Sequence, residues 1–191
     1  MISAAAVAAG MAALWMPEVP TDGETAAARV ERLGVLAESI RGAACEVTAS
    51  GEWPGTEAAM AASLVAVGWH ESGWAWRVHA GRCLPWECDA VRRGGVVWHR
   101  AASPWQLHTT GDLPPEEWRA IVGTGLGPTS RAAHAAASAL ARSRRHCGQG
   151  PRWAHGMVSG YATGSVCRWR GAASRVRTIW RVETAIARAA R

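Results

Sequence analysis

Glu71 is the residue whose type and position point most directly to catalytic chemistry. Apolar residues precede it at three- and four-residue steps, at Val67, Leu64 and Met60, which predicts one face of a helix over residues 57–71. The other faces are also mostly apolar, which is typical of a buried helix. Burial and the negative end of the helix dipole both favour a protonated carboxyl group, the form that a general acid needs. The simpler alternative is a glutamate that points into water at a helix end.

The residues around Glu71 form the first of three short motifs, which occur in the order His70-Glu71-Ser72-Gly73-Trp74, Ser103-Pro104-Trp105-Gln106-Leu107 and Tyr161-Ala162-Thr163-Gly164. We call them the first, second and third motifs. They resemble the Glu-Ser-x-aromatic, Gly-x-x-Gln-aliphatic and Tyr-Asn-x-Gly motifs of lytic transglycosylases and goose-type lysozymes. Ser103 stands where that family has Gly, and Ala162 stands where it has Asn. The resemblance covers roughly residues 57–170.

The resemblance implies a mainly α, lysozyme-like fold that cleaves peptidoglycan between N-acetylmuramic acid and N-acetylglucosamine. Glu71 would protonate the glycosidic oxygen. Gln106 would line the cleft beside the scissile bond, and Tyr161 would hydrogen-bond Glu71 or the sugar. The second and third motifs are expected on loops. The distance from Glu71 to Gln106 suggests an insertion between the first two motifs, a loop or short hairpin that holds Cys83 and Cys88.

A second catalytic carboxylate is not obvious from the sequence. Two-carboxylate hydrolysis needs a partner for Glu71 across the cleft. Asp89 and Asp112 are the nearest candidates along the chain, and neither lies in a motif. Substrate assistance is a known alternative, and in the family the acetamido group or the 6-hydroxyl of the substrate stands in for a nucleophile. A single general acid fits that scheme.

Tryptophans cluster around the first two motifs, at Trp69, Trp74, Trp76, Trp86, Trp98 and Trp105. Indole faces stack on sugar rings, and indole N–H groups bond hydroxyls. The alternative for each is a core tryptophan in a chain that has no Phe. We predict that Ser72, Trp74 and Trp105, which lie inside the motifs, bind substrate.

Five cysteines favour an oxidising compartment. Cys147 and Cys167 flank the third motif, and we predict that they form a disulfide. Cys83 and Cys88 form either a short-loop disulfide or, less in keeping with their spacing, a zinc pair with nearby histidines (His79, His99 and His108). Cys45 would then be the free thiol.

The composition of the 191 residues is skewed, with no Lys, Asn or Phe, and with Arg supplying all 21 basic residues. Codon bias explains most of this skew. The net charge of +6 still favours anionic surfaces, such as nucleic acid or cell envelope. The apolar content excludes a disordered chain, and no apolar run is long enough to predict a transmembrane helix.

The chain divides into an apolar N-terminal segment over residues 1–20 and one domain over residues 21–191. The segment is either a weak secretion signal or a first helix. A Thr21-x-x-Glu24 capping box predicts a helix from residue 21 to about residue 44. Helices are also expected from residue 114, over residues 129–146 and over residues 168–191. We expect residues 151–164 to be mostly loop.

These observations predict a peptidoglycan-cleaving enzyme that is monomeric, needs no cofactor or metal, and acts outside the cytoplasm or as part of a phage. Its partners would be glycan strands. The alternatives are an inactive lysozyme-like module that binds the wall or serves a phage structure, and an Arg-rich protein that binds nucleic acid.

Overall fold

The computed structural model describes residues 1–14, 23–83, 90–99, 101–107, 115–148, 150–164 and 166–191. Within these ranges the protein is mainly α-helical, which confirms the predicted class. The helices are α1 (Ala4–Ala12), α2 (Ala26–Ala49), α3 (Glu57–Ser72), α4 (Trp76–His79), α5 (Pro115–Ile121), α6 (Leu126–Cys147), α7 (Trp153–Thr163) and α8 (Ala172–Ala189). None of the described helices is both long and apolar enough to cross a membrane.

Helix α3 is the centre of the fold, as its sequence predicts. All residues from Ala59 to Gly68 are buried, because α1, α2, α6 and α8 pack around the helix. Thr56 caps its first turn by accepting a hydrogen bond from the backbone of Ala59. Gly73 ends it in the left-handed conformation, with φ of +59°, which glycine adopts without a Cβ clash. These caps place Glu71 in the last turn.

Helix α2 begins later than predicted. Thr25 is its N-cap and accepts a hydrogen bond from the backbone of Ala28. The predicted capping box is wrong at Glu24, whose carboxylate pairs with Arg32, while Thr21 lies outside the described residues. The buried guanidinium of Arg32 draws Glu24 inward and so overrides the local capping pattern.

Helix α7 corrects the prediction of a loop over residues 151–164. Its glycines disfavour an isolated helix, but they allow close packing against α6. A Cβ at Gly156 would fall on the carbonyl oxygen of Cys147, and one at Gly160 would strike Ser143. Ser143 also donates a hydrogen bond to the carbonyl of Met157 at 2.6 Å. The third motif therefore lies at the end of a helix.

The N-terminal segment forms α1, which packs against α2 and α8. Ala6 and Val7 are completely buried. A Cβ at Gly10 would meet the side chain of Ile186 at 2.7 Å, so glycine permits the close approach of α8. The described part of this segment thus belongs to the hydrophobic core.

A two-stranded antiparallel hairpin lies between the first two motifs. Strand β1 (Ala90–Arg93) pairs with β2 (Val96–His99), and Ala90 lies opposite His99. Gly94 and Gly95 form the turn, both with positive φ. A hairpin was one of the two forms predicted for this segment.

Candidate functional site

Glu71 lies at the end of α3 beside the start of α8. Its side chain is 20% exposed, and its Oε1 accepts a hydrogen bond from Arg175 Nη2 at 2.7 Å. The guanidinium of Arg175 also lies over the ring of Trp169, 4.5 Å from its centroid. The buried helix end was predicted, but a cationic partner for Glu71 was not.

His70, the neighbour of Glu71, points towards the same helix. Its Nε2 lies 3.0 Å from Thr178 Oγ1. Burial lowers the pKa of His70, and the positive charge of Arg175 lowers it further. A neutral imidazole therefore adds no second positive charge beside Glu71 near neutral pH.

The second motif forms a tight turn against α3. Backbone N–H groups of Gln106 and Leu107 donate to the carbonyls of Ser103 and Ala102, at 3.0 and 2.8 Å. Trp105 Nε1 donates to the carbonyl of Leu64 at 2.9 Å. This turn fixes Gln106 beside the end of α3 and leaves its side chain partly exposed.

Tyr161 joins the third motif to the second. Its hydroxyl donates to the carbonyl of Trp105 at 2.8 Å, and not to Glu71 as one alternative expected. Burial raises the pKa of Tyr161, and the negative charge of Glu71 raises it further. Tyr161 is therefore a neutral phenol whose proton is already engaged, and it braces the turn that carries Gln106.

The three motifs meet in one cleft of about 220 Å³. Glu71, Gln106 and Tyr161 all line it, although they lie far apart in sequence. Its other described lining residues are Leu107, Ala139, Arg142, Gly160, Ala162 and Gly164. Among these residues Glu71 carries the one carboxylate. The candidate partners Asp89 and Asp112 lie outside the described residues.

Trp74 and Trp105 do not line this cleft, which corrects their predicted role in stacking on sugar. Both side chains are fully buried, and their rings pack edge to face with centroids 5.9 Å apart. A Cβ at Gly68 would strike the Trp74 ring, so glycine in α3 makes room for it. The two indoles therefore pack in the core behind the cleft and support the backbone of the first two motifs.

Ser72 is partly exposed, but its hydroxyl forms hydrogen bonds with backbone groups. The hydroxyl donates to the carbonyl of Gly68 at 3.1 Å and accepts from the backbone N–H of Trp74 at 3.2 Å. It helps to turn the chain after Glu71. No contact of Ser72 in the described chain identifies it as a substrate ligand, so its predicted binding role remains a prediction.

Backbone strain is concentrated in the first two motifs. Among the described residues, the non-glycine positions with positive φ are Trp74, Ser103 and Gln106, at +57°, +66° and +45°. Such conformations are disfavoured for residues with a Cβ, and they cluster at functional sites. The turn at Ser103 requires a left-handed backbone conformation, which glycine adopts more readily than serine.

Arg32 supports the first motif from α2, and sequence analysis missed it. The buried guanidinium donates to both Glu24 oxygens at 2.7 and 2.9 Å, and to the carbonyl of Trp74 at 3.0 Å. This ion pair fixes the strained residue that follows the α3 cap. Arg32 and Arg175 carried no local signal, because arginine is frequent throughout the chain.

Two of the cysteine predictions are confirmed. Cys147 and Cys167 form a disulfide, and Cys45 is a free thiol. Cys83 is also disulfide-bonded, which removes it as a zinc ligand, whereas Cys88 lies outside the described residues. His146 lies close to the Cys147–Cys167 sulfurs, but a disulfide offers no thiolate to a metal.

No protein-family model matches this chain, and comparisons with curated proteins and with solved structures find no match. The cleft and its residues are therefore the features that point to a function.

Proposed function

We propose that this protein is a glycosidase of the lytic transglycosylase or lysozyme type, which cleaves peptidoglycan between N-acetylmuramic acid and N-acetylglucosamine. The observation that carries the proposal is the meeting of Glu71, Gln106 and Tyr161 in one cleft. Each of these residues lies in a separate sequence motif. The supporting turns hold strained backbone, which is typical of functional sites.

In the proposed reaction Glu71 acts twice. As an acid it gives its proton to the glycosidic oxygen while the bond from that oxygen to the anomeric carbon breaks. The acetamido oxygen of the substrate stabilises the positive charge on that carbon. As a carboxylate, Glu71 then takes a proton from the sugar's 6-hydroxyl, which closes an anhydro ring, or from water, which leaves a reducing end. One carboxyl group serves both steps.

The ion pair with Arg175 sets a condition on the first step. Arg175 Nη2 holds Glu71 Oε1 at 2.7 Å, so this oxygen is not free for the substrate. We propose that Arg175 orients the carboxyl group in this way and that Oε2 gives the proton to the glycosidic oxygen.

The same ion pair supports a second candidate, a wall-binding module without activity. A carboxylate locked by Arg175 would be unable to donate a proton. Ser103 and Ala162, which replace the family's Gly and Asn, point the same way. In either case the Cys147–Cys167 disulfide supports an extracytoplasmic or phage-associated location, since disulfides persist in oxidising compartments.

The test is digestion of purified peptidoglycan, followed by turbidity and by mass spectrometry of the soluble products. Wild type should release muropeptides, and Glu71→Gln should lower the rate by roughly 10²–10⁴, the usual worth of general acid–base catalysis. The amide keeps an oxygen that can accept from Arg175, so folding should be retained. Binding of wall fragments without release of products by either protein would favour the inactive module. Equal cleavage by both would refute the role of Glu71.

A further inference from the structure

A second cavity, of about 950 Å³, lies outside the cleft. This volume is within the range of roughly 300–1,000 Å³ that is common for ligand sites. The cavity lies where the end of α6, the start of α7 and the middle of α8 meet. We call it the basic pocket, after the side chains of His146, Arg152, His155 and Arg168, which line it together with Trp180.

Within the described residues, no negative charge opposes the positive charge of the basic pocket. Its described lining contains no acidic residue, and no described carboxylate pairs with Arg152 or Arg168, which are both exposed. The sequence explains this, because no Asp or Glu occurs between Glu117 and Glu183, whereas eleven arginines do. A concave surface with charges of one sign concentrates ligands of the opposite sign.

An exposed indole forms one wall of the basic pocket. Trp180 is 45% exposed, and its ring packs edge to face on Trp153 with centroids 5.7 Å apart. Trp153 packs in the same manner on the buried Trp53, and the Arg144 guanidinium lies over both of those rings. Trp180 is therefore an anchored aromatic surface, of the kind on which a sugar ring stacks.

Helix α7 connects the basic pocket to the cleft. Ala154 and Gly156, near its start, line the pocket, whereas Gly160 and Tyr161, near its end, line the cleft. Gly160 follows Ala154 by six positions in the sequence, or about 9 Å along a helix axis. The two sites are thus close enough for one glycan strand to occupy both.

We propose that the basic pocket is a second binding site, for a glycan that carries anionic groups. A sugar ring stacks on Trp180, and carboxylate or phosphate groups bind Arg152 and Arg168. The choice of a glycan over a nucleic acid rests on the proposed function; the anionic character of the ligand rests on the pocket alone.

Binding is tested by calorimetry in the Glu71→Gln background, which prevents cleavage during the titration. The probes are a disaccharide dipeptide from peptidoglycan, which bears carboxylates, a teichoic acid fragment, which bears phosphates, and neutral N-acetylchitotetraose. Arg152→Gln with Arg168→Gln should weaken binding of at least one anionic probe tenfold or more, and the neutral probe less than twofold. The anionic probe that responds identifies the source of the charge.

The matched control is Arg188→Gln with Arg191→Gln, which removes the same charge from exposed positions outside the pocket. An equal loss in this control would show diffuse attraction and overturn the proposal, as would unchanged binding in the pocket variant. Trp180→Leu should weaken the responding anionic probe tenfold or more, and its melting temperature is measured to establish that it folds. Tighter binding of single-stranded oligo-dT than of every glycan probe, lost in the same pocket variant, would reassign the site to nucleic acid.

The two proposals fail in different ways. Cleavage by wild type, with binding unaffected in the pocket variant, would refute the second site alone. Pocket-dependent glycan binding by a wild type that releases no muropeptides would refute the proposed enzymatic function alone.

Discussion

Arg175 Nη2 donates a hydrogen bond to Glu71 Oε1 at 2.7 Å, so α8 places a fixed positive charge on the carboxylate that ends α3. Both side chains are mostly buried, and the guanidinium is held further by its contact with Trp169. The contact links the C-terminal helix to the predicted general acid. The titratable and charged groups near Glu71 include its neighbour His70, its partner Arg175, and Arg142 and Tyr161, which line the same cleft.

Replacing Arg175 tests whether this contact positions Glu71. Arg175→Gln removes the charged donor that holds Glu71 Oε1 at 2.7 Å, so the carboxyl group loses its fixed orientation at the end of α3. We therefore expect kcat on peptidoglycan to fall by about tenfold, with little change in KM. The control is Arg177→Gln, an exposed arginine on the same helix. Unchanged turnover in Arg175→Gln would show that the ion pair does not position Glu71 for the reaction.

Tyr161→Phe tests the brace between the third and second motifs. Loss of the phenolic hydroxyl leaves the carbonyl of Trp105 without its 2.8 Å donor. We expect activity to fall by about tenfold and the free energy of unfolding to fall by about 1 kcal/mol, the usual worth of a hydrogen bond. Activity assays and urea denaturation measure the two effects. If stability falls while activity is unchanged, Tyr161 has no role in positioning Gln106.

The Cys147–Cys167 disulfide closes a loop with a sequence separation of 20 residues. In the chain-entropy model a loop of this size contributes about 3 kcal/mol to the free energy of unfolding. The double variant Cys147→Ser with Cys167→Ser should lose about that amount in urea denaturation. Cys45→Ser, which removes a free thiol, should change little. Peptide mapping without reductant should recover residues 147 and 167 in one linked fragment, and their recovery as free thiols would contradict the assignment.

His79 should make stability depend on pH. It is buried, and its Nε2 lies 2.9 Å from Thr129 Oγ1, which itself donates to the carbonyl of Gly125. Burial, with a smaller effect of Arg32, lowers the pKa of His79 to about 3. In the unfolded chain a histidine has a pKa of about 6.5. Between these values the unfolded state binds a proton that the folded state does not, so stability falls as the pH is lowered from about 6.5 towards 3.

The measurement is the free energy of unfolding across that range for wild type and His79→Gln. The difference between them should shrink by up to about 1.4 kcal/mol for each pH unit of acidification, since the variant has no group to protonate there. His146→Gln, at an exposed position, is the control and should keep the slope of wild type. A difference that does not vary with pH would mean that His79 is protonated equally in both states.

Helix α3 shows how much of the site the sequence could predict. The helix has apolar residues on every face, which predicted that it is buried. Gly73 predicted where the helix ends, because a left-handed C-terminal cap favours glycine. The position of Glu71 in the last turn follows from these local rules. The three motifs also marked residues that share the cleft, although their meeting depends on the packing of separate helices.

Other features were decided by tertiary structure. The glycines at positions 156 and 160 predict a loop in isolation, but packing against α6 stabilises a helix there, because only glycine admits that close approach. Trp74 and Trp105 are as suitable for sugar binding as for a core, and only their burial assigns them to the core. The sequence also did not predict Arg175 as the partner of Glu71, because the chain contains many arginines with the same charge. Local periodicity and capping thus determined the helix α3 and the position of Glu71 in its last turn, whereas contacts between distant segments determined what surrounds Glu71.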